Sequence, residues 1–261
     1  SQQNYANDQC GTMQSLERLM KNDPKLKEKT AYYEQQIQQF IASHANGKQN
    51  SSMATITIPT VIHVVWNTAP ENISDIVCNQ IIQVLNEDFG RTNQDTGSTP
   101  AVWKPIAANT GIQFCLAQRD PSDAPSTGIE RRQTTVTSFS TNDLVKSFFT
   151  GGLDAWDVTR FFNIWVCDLT PGLSGYGEFP TGAASNTFGN VSDYAVVGLG
   201  QWVASHECGH CFNLRHIWGD DTDCSGSDLV SDTPDQAVAT SSACPSFPAT
   251  DACSPISPGF M

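Results

Sequence analysis

The stretch His206-Glu207-Cys208-Gly209-His210-Cys211-Phe212-Asn213-Leu214-Arg215-His216 contains three of the five histidines of this 261-residue chain. A helix turns about 100° per residue, so His206 and His210 lie on one helical face, one turn apart. Two imidazoles so placed can bind the same metal ion. Glu207 is positioned to accept a proton from a metal-bound water molecule rather than to bind the metal itself.

A third histidine, His216, reaches the same ion only if the chain leaves the helix and turns back. The spacing H-E-x-x-H-x-x-G-x-x-H makes this turn at a glycine. Asn213 stands at that position here, and asparagine is the non-glycine residue that best tolerates a positive φ. Three neutral histidines and a water form an open zinc site of the catalytic kind. We therefore predict a Zn²⁺-dependent hydrolase with Glu207 as its general base.

The same stretch contains a C-x-x-C pattern, Cys208 to Cys211, of the kind that thiol–disulfide oxidoreductases use. That chemistry requires a lowered thiol pKa, whereas a neighbouring carboxylate, here Glu207, raises it. We predict that both cysteines are small core residues. The oxidoreductase remains a less favoured alternative.

Composition indicates an extracellular protein. The formal net charge of −13 argues against binding to nucleic acid, and no apolar run is long enough to cross a bilayer. Nine cysteines suggest an oxidising compartment, and the odd number leaves one thiol free or paired outside the chain. The first residues have no charged and apolar leader, so any signal peptide is already removed. We expect a secreted monomer that does not insert into membranes.

The chain divides by character into three parts. Residues 1–53 are polar and helix-prone, and they end in a polar linker at 44–52. A globular part follows, with apolar strands predicted at 55–66, 111–116 and 161–169, helices at 74–89 and 142–149, and a glycine-rich edge strand at 172–180. Cys115 and Cys167 occupy equivalent places in two of these strands. They are interpreted as buried thiols or as a cross-strand pair.

Residues 221–261 hold three cysteines and little helical pattern, which is typical of a small, irregular, disulfide-bonded subdomain. Aspartates crowd its beginning. A dense set of oxygen ligands suits Ca²⁺, but a solvated acidic loop explains the same composition equally well. The aspartates concerned are Asp221, Asp223, Asp228, Asp232 and Asp235.

Several stretches together resemble the pappalysin family of metzincin zinc metallopeptidases, over nearly the whole chain. They are CGT at 10–12, LNEDF at 85–89, FNIWVC at 162–167, GYGEFP at 175–180, HECGHCFNLRHIWGD at 206–220 and DLVSDTPDQ at 228–236. The resemblance implies an endopeptidase that cuts proteins or peptides. It implies a mixed α/β (α+β) zincin fold with a twisted mixed sheet, an active-site helix, and substrate lying along the edge strand within 174–179.

The resemblance also implies a role for the N-terminal part. Members of the family's secreted microbial branch carry a pro-segment in which the thiolate of a Cys-Gly pair occupies the fourth zinc position. The corresponding cysteine here is Cys10. The chain then is a latent proenzyme, with a pro-segment at 1–53, an upper catalytic subdomain at 54–216 and a C-terminal subdomain at 217–261. Maturation would cut within 44–53.

For the C-terminal part, the resemblance implies structural calcium bound by Asp228 and Thr233, with carbonyls near Ser227 and Ser231. It also implies a disulfide between Cys224 and Cys253, and a partner for Cys244 beyond residue 261. A methionine-containing turn beneath the zinc is expected just after the end of the chain, or at Met261. The sequence thus departs from the family pattern at the methionine turn. This keeps a second interpretation open, namely a protein that binds zinc but serves in binding or adhesion without catalysis.

Overall fold

The computed structural model describes residues 10–44, 54–180, 186–197, 202–220, 223–231, 233–237, 239 and 252–253. The helices are α1 (Thr12–Asn22), α2 (Leu26–His44), α3 (Asp75–Phe89), α4 (Tyr194–Val197) and α5 (Trp202–Cys211). The strands are β1 (Ile56–Trp66), β2 (Ile112–Leu116), β3 (Ile129–Gln133), β4 (Phe162–Cys167), β5 (Gly175–Gly177) and β6 (Gly189–Asp193). Among these residues, no helix is long and apolar enough to span a membrane.

A mostly parallel sheet with the strand order β2-β1-β4-β6-β5 organises the molecule. The first half of β1 pairs with β2 and the second half with β3, while β4 lies on the other side of β1. Only β5 runs antiparallel to its neighbour, β6, and it forms one edge of the sheet. The predicted mixed α/β architecture with a glycine-rich edge strand is therefore confirmed.

Successive side chains of β1 point to opposite faces of the sheet and so belong to two separate cores. Ile62 and Val64 of β1 face a core that also contains residues of α3 and α5, whereas Val65 belongs to the core on the opposite face. Ser74 caps α3, because its Oγ accepts a hydrogen bond from Val77 N at 3.4 Å. The sheet and α3 thus provide a rigid base on which α5, the histidine helix, is held.

Some predictions were wrong in detail. The polar strands β3 and β6 were not anticipated. The helix predicted at 142–149 is two short 3₁₀ turns, Leu144–Lys146 and Phe148–Thr150, because Asp143 has a φ of 62° that no α-helix contains. Cys115 and Cys167 do not form a cross-strand pair, since β1 lies between their strands; both are free thiols, one exposed and one buried.

Candidate metal centre and active site

Three histidines converge at the end of α5. His206 and His210 lie one turn apart on this helix, and Asn213 leaves it with a φ of 68°, the left-handed conformation that the sequence predicted. The turn returns His216 to the helix. The Nε2 atom of His206 lies 3.2 Å from that of His216 and 3.1 Å from that of His210. Three ring nitrogens therefore point at one position.

A fourth donor comes from the opposite end of the chain. Cys10 Sγ lies 3.4 Å from His210 Nε2, and the four donor atoms lie within 4.8 Å of one another. Nitrogen ligands about 2.0–2.1 Å from a tetrahedral zinc are about 3.3 Å from one another, and a sulfur ligand is slightly farther away. The observed separations and the three-nitrogen, one-sulfur donor set therefore fit zinc.

The imidazoles are held in the form that binds a metal. His210 Nδ1 lies 2.7 Å from the carbonyl of Leu214, and His216 Nδ1 lies 2.6 Å from Asp220 Oδ1. These acceptors place the ring proton on Nδ1 and leave Nε2 free to coordinate. Burial and the neighbouring histidines lower the pKa of His206 to about 3 and that of His210 to about 4, so both rings are neutral near pH 7. The orienting role of Asp220 was not predicted, although it lies only four residues after His216.

Glu207 lies beside this centre and is buried. Burial raises its pKa to about 8, against the opposing effect of hydrogen bonds from Thr12 and Cys10. Strand β5 passes directly over it, because a Cβ added to Gly175 would lie 2.9 Å from Glu207 Cγ, and one added to Gly177 only 2.3 Å from the Glu207 carbonyl oxygen. The glycines of β5 therefore allow the edge strand to approach the carboxylate closely.

The segment that delivers Cys10 pairs with the same edge strand. Cys10 forms a parallel bridge with Gly175, and Gly11 N donates a hydrogen bond to the Gly175 carbonyl at 2.8 Å. Thr12 Oγ1 accepts from Gly177 N at 2.8 Å and donates to Glu207 Oε2 at 3.1 Å. The sequence pattern did not single out Thr12, although it follows directly on the Cys-Gly pair.

Helix α1 covers the cleft beyond this contact. Leu16 and Leu26 are buried with Phe179, which follows β5, and the Phe179 ring meets His210 edge-on at 5.4 Å between centroids. Nearby, Arg18 of α1 pairs with Asp143. Residues 10–44 therefore block both the metal centre and the edge strand.

Of the predicted calcium residues, Asp228 and Thr233 lie together, because the Thr233 side chain donates a hydrogen bond to Asp228. Asp228 is buried and its Oδ1 accepts from Val230 N at 2.9 Å, whereas Ser227 and Ser231 are exposed. In the described part of the chain, the converging His, Cys, Asp and Glu ligand atoms are those of Cys10 and the three histidines. The remaining residues of the prediction, Asp221, Asp232, Cys244 and Met261, and all of the predicted 44–53 cleavage region except His44, lie outside the described residues.

The described cysteines from 208 onward are either buried or disulfide-bonded. Cys224 and Cys253 form a disulfide, the pair that the family resemblance implied. Cys208 and Cys211 are buried in the core beneath the sheet. Burial raises the pKa of Cys208 well above its usual value and that of Cys211 to about 12. Thiols in this state are poor nucleophiles, which argues against the oxidoreductase alternative.

Comparison with known proteins supports the same interpretation. No protein-family model matches the chain. An extracellular metalloprotease of Pyricularia oryzae is 28% identical over 219 residues, which cover 77% of this chain and 64% of that protein's length. Mature mirolysin of Tannerella forsythia, solved with a cleaved peptide, is 45% identical with a TM-score of 0.76, covering 80% of this chain and 82% of the other. A mutant of Tannerella forsythia promirolysin is 40% identical with a TM-score of 0.84, covering 97% and 84%.

A mostly parallel sheet, packed against a helix whose two histidines meet a third from the following turn, matches the metzincin class of metallopeptidase folds. Within that class, the chain belongs to the pappalysin family.

Proposed function

We propose that this protein is a secreted zinc-dependent endopeptidase in its latent proenzyme form, with residues 1–53 as the pro-segment. The observation that carries the proposal is the convergence of three histidine Nε2 atoms and Cys10 Sγ beside the buried Glu207. Three histidines from one helix and the turn after it leave one position for water or substrate once the cysteine withdraws. Extracellular metalloproteases are among its relatives, which supports secretion.

In the proposed reaction, His206, His210 and His216 hold zinc, which supplies Lewis-acid activation of water and of the scissile carbonyl when bound. Glu207 accepts the proton of the attacking water and returns it to the leaving amine. The backbone of β5, with the Gly175 carbonyl and the Gly177 amide exposed once residues 10–12 leave, pairs with the substrate backbone.

Latency follows from the same contacts. Cys10 occupies the position that water needs, while Gly11 and Thr12 occupy the hydrogen-bonding groups of β5. Burial and the nearby Glu207 carboxylate raise the pKa of the Cys10 thiol, so a bound metal is required to hold it as a thiolate. We propose that cleavage within 44–53 frees the pro-segment, and that the mature enzyme acts as a monomer on protein and peptide substrates.

The test is Glu207→Ala in the full chain, processed to remove the pro-segment. We expect the variant to keep its zinc content and to lose peptide cleavage by about 10²–10⁴-fold, because it lacks only the proton acceptor. Glu87→Gln is the matched control, since Glu87 pairs with Gln83 on α3 away from the metal centre. Unchanged cleavage by Glu207→Ala would overturn the mechanism. A processed wild-type protein that binds zinc and cleaves no peptide would instead favour the binding or adhesion protein.

We also propose a structural Ca²⁺ held by Asp228, Thr233 and carbonyls near Ser227 and Ser231. The supporting observation is that Asp228 is buried and pairs with no lysine or arginine among the described residues. Burial raises its pKa, against a hydrogen bond from the Val230 amide. A bound cation would compensate the desolvated carboxylate.

A further inference from the structure

We propose that Trp218 is a positioning residue of the metal centre. Its indole ring, stacked on the imidazole of His216, holds this third histidine in the orientation that coordination requires. The proposal rests on the proposed function, because it concerns the metal that the three histidines would hold. It gives Trp218 no contact with the substrate or the metal, since Trp218 acts only through His216.

His216 needs a support that the other two histidines do not. His206 and His210 project from α5, and the regular backbone of a helix fixes their separation. His216 follows the turn at Asn213, where the chain has left the helix. It is nevertheless almost completely buried, with 3% of its surface exposed. The groups packed around the ring therefore decide where its Nε2 atom points.

Two neighbours restrain different movements of the His216 ring. Asp220 Oδ1 lies 2.6 Å from Nδ1 and fixes the direction in which that atom points. A single hydrogen bond still allows the ring to tilt about this direction. The Trp218 ring fixes the tilt, because it stacks on the imidazole with 4.2 Å between centroids and 8° between planes. The two contacts together define the position of Nε2.

The turn after Trp218 holds the indole in place. Gly219 N donates to the His216 carbonyl at 2.9 Å, and Gly219 has a φ of 63°. Its α-carbon lies against the backbone of a following loop, because an added Cβ would collide with Ser227 N and would lie 2.5 Å from Gly226 C. Backbone atoms cannot move aside as the end of a flexible side chain can. The stacked ring is therefore attached to a fixed part of the molecule.

The first experiment measures the release of zinc from the full chain to a chromogenic chelator. Trp218→Leu removes the flat ring but keeps an apolar side chain, whereas Trp218→Phe retains a ring that can stack. We expect release from Trp218→Leu to be about tenfold to a hundredfold faster than from the wild type, the range typical of residues that support a metal ligand. Trp218→Phe should restore a rate close to that of the wild type.

Trp103→Leu is the matched control, because it makes the same change at another half-buried tryptophan, in the turn at 100–107. It should release zinc at the wild-type rate. Equal release from Trp218→Leu and the wild type, or equally fast release from Trp218→Leu and Trp218→Phe, would refute the stacking role. If the wild-type chain binds no zinc at all, the proposed function itself fails.

The absorption spectrum of the Co²⁺-loaded chain separates positioning from a general loss of stability. The visible bands of Co²⁺ depend on the geometry of its ligands, whereas a loss of stability elsewhere in a folded chain does not change them. We expect altered bands for Trp218→Leu and wild-type bands for Trp218→Phe and Trp103→Leu. Wild-type bands for Trp218→Leu would show that His216 keeps its orientation without the indole.

A further measurement does not depend on the folding of any variant. A crystal structure of the zinc-loaded wild-type chain should show the Trp218 ring stacked on His216 while Nε2 of His216 binds the metal. An indole ring that lies away from the imidazole in the loaded protein would overturn the proposal.

Discussion

At the scale of single residues, Thr12 connects the N-terminal segment to the Glu207 carboxylate, the proposed general base. Its hydroxyl accepts a hydrogen bond from the Gly177 amide and donates one to Glu207. The carboxylate is fully buried in this state, so the loss of the Thr12 hydroxyl removes one of its few hydrogen-bond donors. In the proposed latent form, Thr12 thus adds to inhibition by a contact that does not pass through the metal.

The prediction at this scale is that Thr12→Val weakens inhibition. Valine keeps the shape of threonine but has no hydroxyl, so we expect a peptide of residues 10–44 carrying this change to inhibit the processed enzyme about tenfold less well. The measurement is the inhibition constant of the peptide added in trans. Thr12→Ser is the control, because it retains the hydroxyl, and equal inhibition by the valine and wild-type peptides would contradict the role of Thr12.

At the scale of elements, α1 and α2 form a removable cover. Its contacts with the catalytic part include the strand-like pairing at residues 10–11 and the Arg18–Asp143 ion pair. Leu16 and Leu26 also make an apolar contact with Phe179. Asn213, at the turn after α5, also donates to Glu34 of α2 at 3.0 Å. The cover therefore binds through several separate contacts, some of them dependent on charge.

One of these contacts predicts an acid dependence. Although burial raises the pKa of Asp143, the charges of Lys146 and Arg18 outweigh it and hold the pKa below its ordinary value of 3.8. Lys146 stays beside Asp143 when the cover leaves, whereas the charge of Arg18 leaves with it, so the pKa of Asp143 is lower in the docked than in the undocked state. The contribution of this pair to binding is therefore complete above the undocked pKa and is lost as the pH falls through the docked pKa. We expect the affinity of the 10–44 peptide to fall in this acid range.

The control for this prediction is Arg18→Gln in the peptide, measured by fluorescence anisotropy against the same processed protein. It removes one of the two cations, so its affinity should depend less on pH in the acid range than that of the wild-type peptide. Protonation of His206, His210 and His216 affects both peptides equally and cancels in the comparison. Identical acid profiles for the two peptides would show that the Arg18–Asp143 pair is not responsible.

At the scale of the whole molecule, stability should depend on calcium. If Asp228 and Thr233 hold Ca²⁺ in the folded state alone, a hundredfold excess of Ca²⁺ over Kd adds about 2.7 kcal/mol to the free energy of unfolding. The measurement is the Tm with Ca²⁺ and with a chelator selective for Ca²⁺ over Zn²⁺. We expect Asp228→Asn to abolish the increase in Tm, whereas Asp157→Asn, a change at an exposed aspartate, retains it. A wild-type Tm that is insensitive to Ca²⁺ would refute the site.

Some elements could be predicted because their signals are local. The β-branched run of β1, the apolar stripe of α3 and the spacing of His206 and His210 each follow from the periodicity of a strand or a helix. Strands β3 and β6 were missed since they are polar, and their place in the sheet is due to pairing with β1 and β4. The pattern at 142–149 resembled a helix, but the positive φ of Asp143 interrupts it.

The sequence by itself indicated the chemistry, because three imidazoles and a carboxylate lie within eleven residues. Helix geometry places His206 and His210 on one face, and the turn at Asn213, predictable because asparagine tolerates a positive φ, returns His216 to them. The tertiary structure alone decided that Thr12 bonds to Glu207, 195 residues away, and that Arg18 pairs with Asp143, 125 residues away. Such contacts depend on chain closure and on burial against a sheet edge, and no local periodicity encodes them.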